Sequence, residues 1–205
     1  MSRTMHLHSG EVQDFDGDRR HRCVVERRDG ENVVSQEELW VQFQDPPVIE
    51  PDDLASFLML VLLTAMQERR DLVVHGQVPG SLLANLEEFH DAWRLIDPPL
   101  QPRFQPIAIE VDEVVDDSNR RPLPGAVTTS SGGYDAAFTL RSHVDGWNGR
   151  RAQDIRRVIM IDGMELYDRP ADFTRAAADN TAIVSSLGLE LTFVSCNHRF
   201  LVGAC

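Results

Sequence analysis

Residues 126–140 read AVTTSSGGYDAAFTL, and the residue types in that order suit an anion-gripping loop. Ser130 and Ser131 carry hydroxyls that can donate to oxygen. Gly132 and Gly133 let the backbone turn sharply and bring N–H groups close to an anion. The residues before them read as a short strand, and residues 135–143 read as a helix. The loop therefore ends at a helix N-terminus, which carries about half a positive charge. Phosphate and pyrophosphate fit that chemistry. Two commoner phosphate loops are excluded, because neither GxxxxGK[ST] nor GxGxxG occurs here. The same residues also fit a plain glycine turn, with Asp135 serving only the helix dipole.

Other candidates carry less. Asp162 precedes Gly163 where an apolar strand ends, and Asn197-His198-Arg199 follows another strand. Each also reads as an ordinary strand end or solvated loop. His6 and His8 have HxH spacing, but no carboxylate-rich pattern completes a metal site, and none is expected there. His75 reads as a strand-end histidine and His90 as one on a helix face. Ser142 and His143 are adjacent on a helix and point apart, so they form no catalytic pair.

The elements that must position these residues follow from periodicity and turn chemistry. Residues 4–44 read as short strands: Cys23, Val24 and Val25 lie in one, and Leu39, Val41 and Phe43 alternate in another. Asp29-Gly30 marks a tight turn between them. Pro51-Asp52-Asp53 has the features of a helix start. The apolar run 54–66 continues it as a core helix to about Arg69, with Arg69-Arg70 complementing the dipole. Residues 72–75 read as a strand ended by Gly76. Beyond the turn at Pro79-Gly80-Ser81, a helix presents Leu82, Leu83, Leu86, Phe89 and Trp93 on one face. Ile107, Ile109 and Val111 alternate as a further strand.

The polar, proline-containing segment 115–124 is the expected domain boundary. After it come a strand at 126–129, a helix at 135–143, a strand at 158–161, a helix from Pro170 to Leu187 capped by Gly188, and a strand at 189–194. This β–α–β–α–β order predicts parallel strands with right-handed crossovers. Ligands on such sheets bind at the carboxyl ends of the strands. Residues 130–135, 162–163 and 195–199 are thus expected to meet on one edge.

A formal net charge of −13 over 205 residues repels polyphosphate chains at long range and disfavours a nucleic-acid partner. The pairs Arg19-Arg20, Arg27-Arg28, Arg120-Arg121 and Arg150-Arg151 sit among acids and read as solvated charge. Cys23, Cys196 and Cys205 include no CxxC, which fits a reducing compartment and leads to an expected cytoplasmic location. The longest apolar run, 54–66, falls short of the roughly 20 residues that a membrane-spanning helix needs.

Ser131, Gly132, Gly133 and Asp135 resemble the SGGxDS signature of the PP-loop ATP pyrophosphatases, in the adenine nucleotide alpha hydrolase superfamily. Ala136 departs from it, standing where that family usually has serine. The following helix–strand order is similar too, and the resemblance spans roughly residues 124–200. It implies an α/β fold: residues 124–205 would form the N-terminal half of a parallel-sheet, HUP-like nucleotide-binding domain, preceded by a small α+β domain at 1–117. It implies ATP and magnesium as cofactors. Ser130, Ser131, Gly132 and Gly133 would hold phosphate, and backbone from Met160 to Asp162 would hold adenine or ribose. Asp135 would lie near magnesium or pyrophosphate, and Asn197 and Arg199 would face a small-molecule substrate.

The implied reaction is adenylation of a carboxylate or carbonyl oxygen with loss of pyrophosphate, then attack by a nucleophile such as ammonia. That is the chemistry of asparagine synthetase-like and deazaguanine synthase-like ligases. The acidic charge argues against tRNA as substrate, and the lack of cysteine pairs argues against a metal-cluster thiolase. Ala136, together with an end at Cys205 just after the third strand, predicts binding more than turnover in the isolated chain. A partner chain or further C-terminal residues would complete such a domain. A nucleotide-sensing module without catalysis, and a protein-interaction module, stay open as alternatives.

Overall fold

Period-two alternation builds the first sheet segment. Strands β1 (Arg3–Ser9), β3 (Asp18–Asp29) and β4 (Asn32–Phe43) bury Met5, Leu7, Cys23, Val25, Leu39 and Val41 on one face. The computed structural model describes residues 2–15, 17–44, 50–96, 103–119, 121, 123–164 and 166–199; Cys205 and Arg120 lie outside them. β3 and β4 form the expected hairpin, turning at Gly30, whose φ of 63° is left-handed. The short β2 (Gln13–Phe15) pairs with the start of β3.

Helix α1 (Ala55–Glu68) covers the apolar face and buries Phe57, Leu58, Val61, Leu62, Ala65 and Met66. It begins four residues later than Pro51, where the sequence placed its start. The reason is tertiary: Gln77 N–H donates to the Asp52 carbonyl at 2.7 Å, and Leu54 N–H donates to the Gln77 carbonyl at 3.1 Å. Residues 52–54 are thereby tied to the next strand, with Asp53 in an isolated parallel bridge to Gln77. Asp53 instead accepts the Ala55 N–H at 3.0 Å.

Arg70 does not simply answer the helix dipole. It turns inward, is 4% exposed, and donates to Asp29 at 2.7 Å and Glu68 at 3.0 Å. Arg27 reaches the same Glu68 at 2.9 Å and Glu37 at 2.7 Å. Buried guanidinium groups are tolerable only when paired in this way.

β5 (Asp71–Pro79) runs through Gly76, which the sequence had ending it. Its register against β6 (Ile109–Val115) shifts between Val74 and Gln77, so the glycine accommodates an irregularity. A Cβ there would sit 2.6 Å from the Asp52 carbonyl. α2 (Gly80–Ile96) lays Leu82, Leu83, Leu86 and Trp93 on the same core.

The second half follows the expected alternation: β7 (Ala126–Thr129), α3 (Tyr134–Val144), β8 (Ile155–Asp162), α4 (Pro170–Ser186) and β9 (Leu191–Cys196). β7–β8 and β8–β9 are parallel, and Gly188 follows α4 with φ 72°. Leu140, Val158 and Val184 form a smaller core here.

β9 pairs antiparallel with β4, through Val41 opposite Cys196. One mixed sheet therefore spans the described chain in the order β6-β5-β1-β3-β4-β9-β8-β7, with β2 beside β3, and the fold is α/β. Segment 115–124 links β6 and β7, the two ends of that order. The parallel groups β1-β5-β6 and β7-β8-β9 run in opposite directions, as the three antiparallel steps between β1 and β9 require.

Val194 and Cys196 join the core beneath α1. Their neighbour Phe193 meets Phe173 of α4, with ring centroids 6.3 Å apart. Alternation thus puts α1 and α4 on opposite faces of the sheet. Among the described residues no helix is long and apolar enough to cross a membrane.

Candidate functional site

The carboxyl ends of β7 and β8 open into a cleft of 520 Å³, lined by Thr129, Ser130, Ser131 and Ala136 on one side and by Ile159–Ile161, Gly163, Met164, Leu166 and Phe173 on the other. That volume falls within the range of small-molecule sites, about 300–1,000 Å³. The expected loop is therefore placed on a concavity.

An asparagine fixes the loop. Asn180 of α4 is fully buried. It accepts from the Ser130 hydroxyl at 2.9 Å and donates to the Ser130 carbonyl at 2.9 Å. Its amide also contacts Met160 Sδ at 3.5 Å. The Gly132 N–H donates to Ser130 Oγ at 3.3 Å. The Ser130 N–H bonds to the Ile159 carbonyl at 2.9 Å, extending the β7–β8 ladder.

Ser130 was expected to hold phosphate. Its hydroxyl is instead committed within the protein, because Asn180 would otherwise be buried with unmet hydrogen-bonding capacity. Asn180 itself was missed. The signal was present: Phe173, Ala177, Asn180 and Val184 recur at helical spacing, so the asparagine sits in the inward stripe.

Gly132 adopts φ 80°, and a Cβ on it would meet Asn180 Cβ at 3.3 Å. Gly133, at φ −74° and ψ 164°, has a conformation open to any residue, and it caps α3 without a side-chain hydrogen bond. Ser131 is exposed at the mouth, and Asp135 is exposed in the first turn of α3. Among the described residues, those lining the cleft include no arginine or histidine. An anion there would be met by peptide N–H groups, the helix end and any cation it brought along.

Met160 lines the cleft and is 5% exposed. Asp162 pairs with Ser195 at the end of β8. The chain then turns at Gly163, with φ 100°, where a Cβ would lie 1.8 Å from the Cys196 carbonyl oxygen. Only glycine fits so close to β9.

The third expected position is redirected. Asn197 does not face the cleft: its amide donates to the Glu38 carbonyl at 2.7 Å and accepts the Trp40 N–H at 2.8 Å. It continues the β4–β9 pairing by side chain. His198 reaches the Leu60 carbonyl of α1 at 2.8 Å. Arg199 is exposed and lies outside the cleft lining. β4, which lies beside β9, claims this exit, so β7 and β8 alone of the three carboxyl ends meet at the cleft.

A second cluster lies elsewhere. His6, His8 and His75 offer ring nitrogens all within 4.8 Å of one another. The sequence left the HxH pair incomplete; β5 supplies the third imidazole, and His75 sits inside that strand, not at its end. Burial holds His6 below the ordinary histidine range, helped by Arg28 and His75. Burial does the same for His8, helped chiefly by His75. Cys23 is pushed up to about 12 by burial, so its thiol is inert at neutral pH. Compared with family models, curated proteins and solved structures, the chain matches none.

Proposed function

We propose that the chain binds a nucleotide, ATP with magnesium, in the cleft between β7 and β8. It would serve as the ATP-binding part of an enzyme that adenylates a carboxylate or carbonyl oxygen of a small molecule. The observation that carries the reading is that Ser131, just before the Gly132 turn, and Ala136, in the first turn of an α3 that lacks a side-chain cap, both line the cleft. Free N–H groups at such an end stabilise a phosphate. Asn180 holds their spacing fixed before any ligand arrives, which lowers the ordering penalty on binding.

The chain's own residues have separable parts in this reading. Backbone N–H groups of Ser131, Gly133 and the first turn of α3 grip the polyphosphate, and the Ser131 hydroxyl adds a donor; the Gly132 N–H stays on Ser130. The apolar wall of Met160, Met164 and Phe173 suits the face of a purine. Asp135 orients the cation side of the phosphates. Bound magnesium supplies charge neutralisation for a departing pyrophosphate. Ala136 offers no hydroxyl at the position where the resembled family has one, so binding should exceed turnover.

Calorimetric titration of Mg-ATP into the wild type, Asp135→Ala and Gly132→Val tests the reading. Saturable binding that weakens at least tenfold in Gly132→Val supports it. Absent binding, or equal binding in all three, overturns it.

A second reading, a protein-interaction module, has its own observation. β7 ends the strand order, and Val127, Tyr134 and Phe138 beside it are 62%, 96% and 64% exposed. Large apolar side chains left exposed beside a free sheet edge are a feature of association sites. That reading predicts a stable complex formed without nucleotide.

A further inference from the structure

Three imidazoles converge on one face of the sheet. His6 and His8 are two apart on β1 and project to the same side, opposite the buried Met5 and Leu7. His75 on β5 lies directly across from His8 in parallel register. The three rings are nearly parallel, with interplanar angles of 11–15° and centroids 4.5–6.0 Å apart. His6 Nδ1 and His75 Nε2 are 2.9 Å apart.

The outer atoms of two of these rings are already engaged in the manner of metal ligands. Asp112 Oδ2 lies 3.3 Å from His75 Nδ1. A carboxylate there keeps the proton on Nδ1 and leaves the Nε2 lone pair facing inward. Thr4 Oγ1 lies 3.0 Å from His6 Nε2. A hydroxyl can accept as well as donate, so His6 can carry its proton on Nε2 and present the Nδ1 lone pair to the same point.

We infer that His6, His8 and His75 form a binding site for a divalent transition metal of the zinc class, with Asp112 and Thr4 positioning two of the ligands. The spacing fits. Metal–nitrogen bonds of about 2.05 Å at tetrahedral angles place ligand nitrogens about 3.3 Å apart, and the observed separations run from 2.9 Å to within 4.8 Å. Metal binding would turn the rings out of their near-parallel arrangement to close that difference. Three neutral nitrogen donors select zinc, copper, nickel or cobalt over magnesium and calcium, which prefer oxygen.

All three histidines are only partly buried, so solvent reaches the site and a fourth coordination position stays open to water or a small ligand. Glu26 is opposite His6 on β3 but is engaged by Arg28, and it completes nothing here. The site is independent of the nucleotide reading. β1 lies four strands from β8 in the sheet, about 19 Å at ~4.8 Å per strand.

The test uses untagged, chelator-treated full-length chain titrated with Zn²⁺ alone, and separately with Co²⁺. The wild type is expected to take up one equivalent of Zn²⁺ and to show Co²⁺ visible absorption of tetrahedral intensity. Millimolar Mg²⁺ should not compete. His6→Gln/His75→Gln should lose the binding with an unchanged circular-dichroism spectrum. Asp112→Asn should keep the stoichiometry and weaken affinity about 10–100-fold. A wild type that binds no Zn²⁺, or a double variant that binds as the wild type does, overturns the inference. If the double variant fails to fold, the wild-type stoichiometry and the Co²⁺ spectrum decide alone.

Discussion

Ser130 and Asn180 hold each other by two hydrogen bonds of 2.9 Å, hydroxyl to amide oxygen and amide nitrogen to carbonyl, in a buried contact between β7's exit and the middle of α4. The loop's shape is thus set from α4, fifty residues away. Asn180→Ala removes both bonds, leaving the buried Ser130 hydroxyl without its acceptor and the Ser130 carbonyl without the Asn180 donor. It should lower stability by about 1–3 kcal/mol, measured by urea denaturation, and weaken nucleotide binding beyond what Ser131→Ala does. Wild-type stability in Asn180→Ala would contradict this role.

Gly163, which lines the cleft, and Gly133, which precedes α3, should behave differently from each other. Gly163→Ala places a Cβ on the Cys196 carbonyl in a left-handed backbone, and about 3 kcal/mol or more should be lost. Gly133→Ala meets only Ser131 Oγ, at 3.5 Å, in an extended conformation. Its stability should change by less than about 0.5 kcal/mol. Thermal melts of the two variants side by side check the contrast.

Glu68 joins Arg27 and Arg70, whose side chains are 11% and 5% exposed. Glu68→Gln removes the charge facing both guanidinium groups. A loss of about 3 kcal/mol is expected, the scale for breaking a largely buried ion pair. Because the pairing is shielded, 0.5 M NaCl should recover little of the loss in denaturant titrations.

His90 gives the fold a pH dependence of defined sign. It is buried in α2 with Nε2 lacking a partner, and burial lowers its pKa below the ordinary value. The folded state therefore binds fewer protons than the unfolded chain. Its stabilising effect is complete above the unfolded pKa, about 6.5, and is lost as pH falls towards the folded value. The carboxylates Glu26 and Asp29, held low by Arg28 and Arg70, act only in a lower window. Between pH 7.5 and 5.5 the wild type should lose stability, and His90→Phe should lose less. An equal drop in both would contradict the assignment.

Local chemistry made most elements readable. The hairpin glycine Gly30, the apolar run of α1 and the cap glycine Gly188 each announce themselves within a few residues. Long-range pairing did not. Nothing near Pro51 shows that Gln77 will tie down residues 52–54, and nothing near Val194 shows that β4 will be its neighbour. Asn197 looked like a substrate contact because its partners, Glu38 and Trp40, are far away in sequence. The third histidine at position 75 was hidden in the same way, since register between β1 and β5 brings it to His8. The loop at 130–135 was legible because its strand, turn and helix are contiguous. The buried tie that shapes it was not.

The proposal rests on phosphate binding by the backbone N–H groups of residue 131 and residues 133–136, since those of Gly132 and Ala137 are bonded within the protein. Amide chemical shifts of the ¹⁵N-labelled chain, followed while Mg-ATP is added, test it most directly. Saturable shifts concentrated at residues 131–137 and 160–164 are expected, reproduced in part by Mg-pyrophosphate. Shifts that never saturate, or that fall elsewhere while these amides stay unmoved, would contradict it.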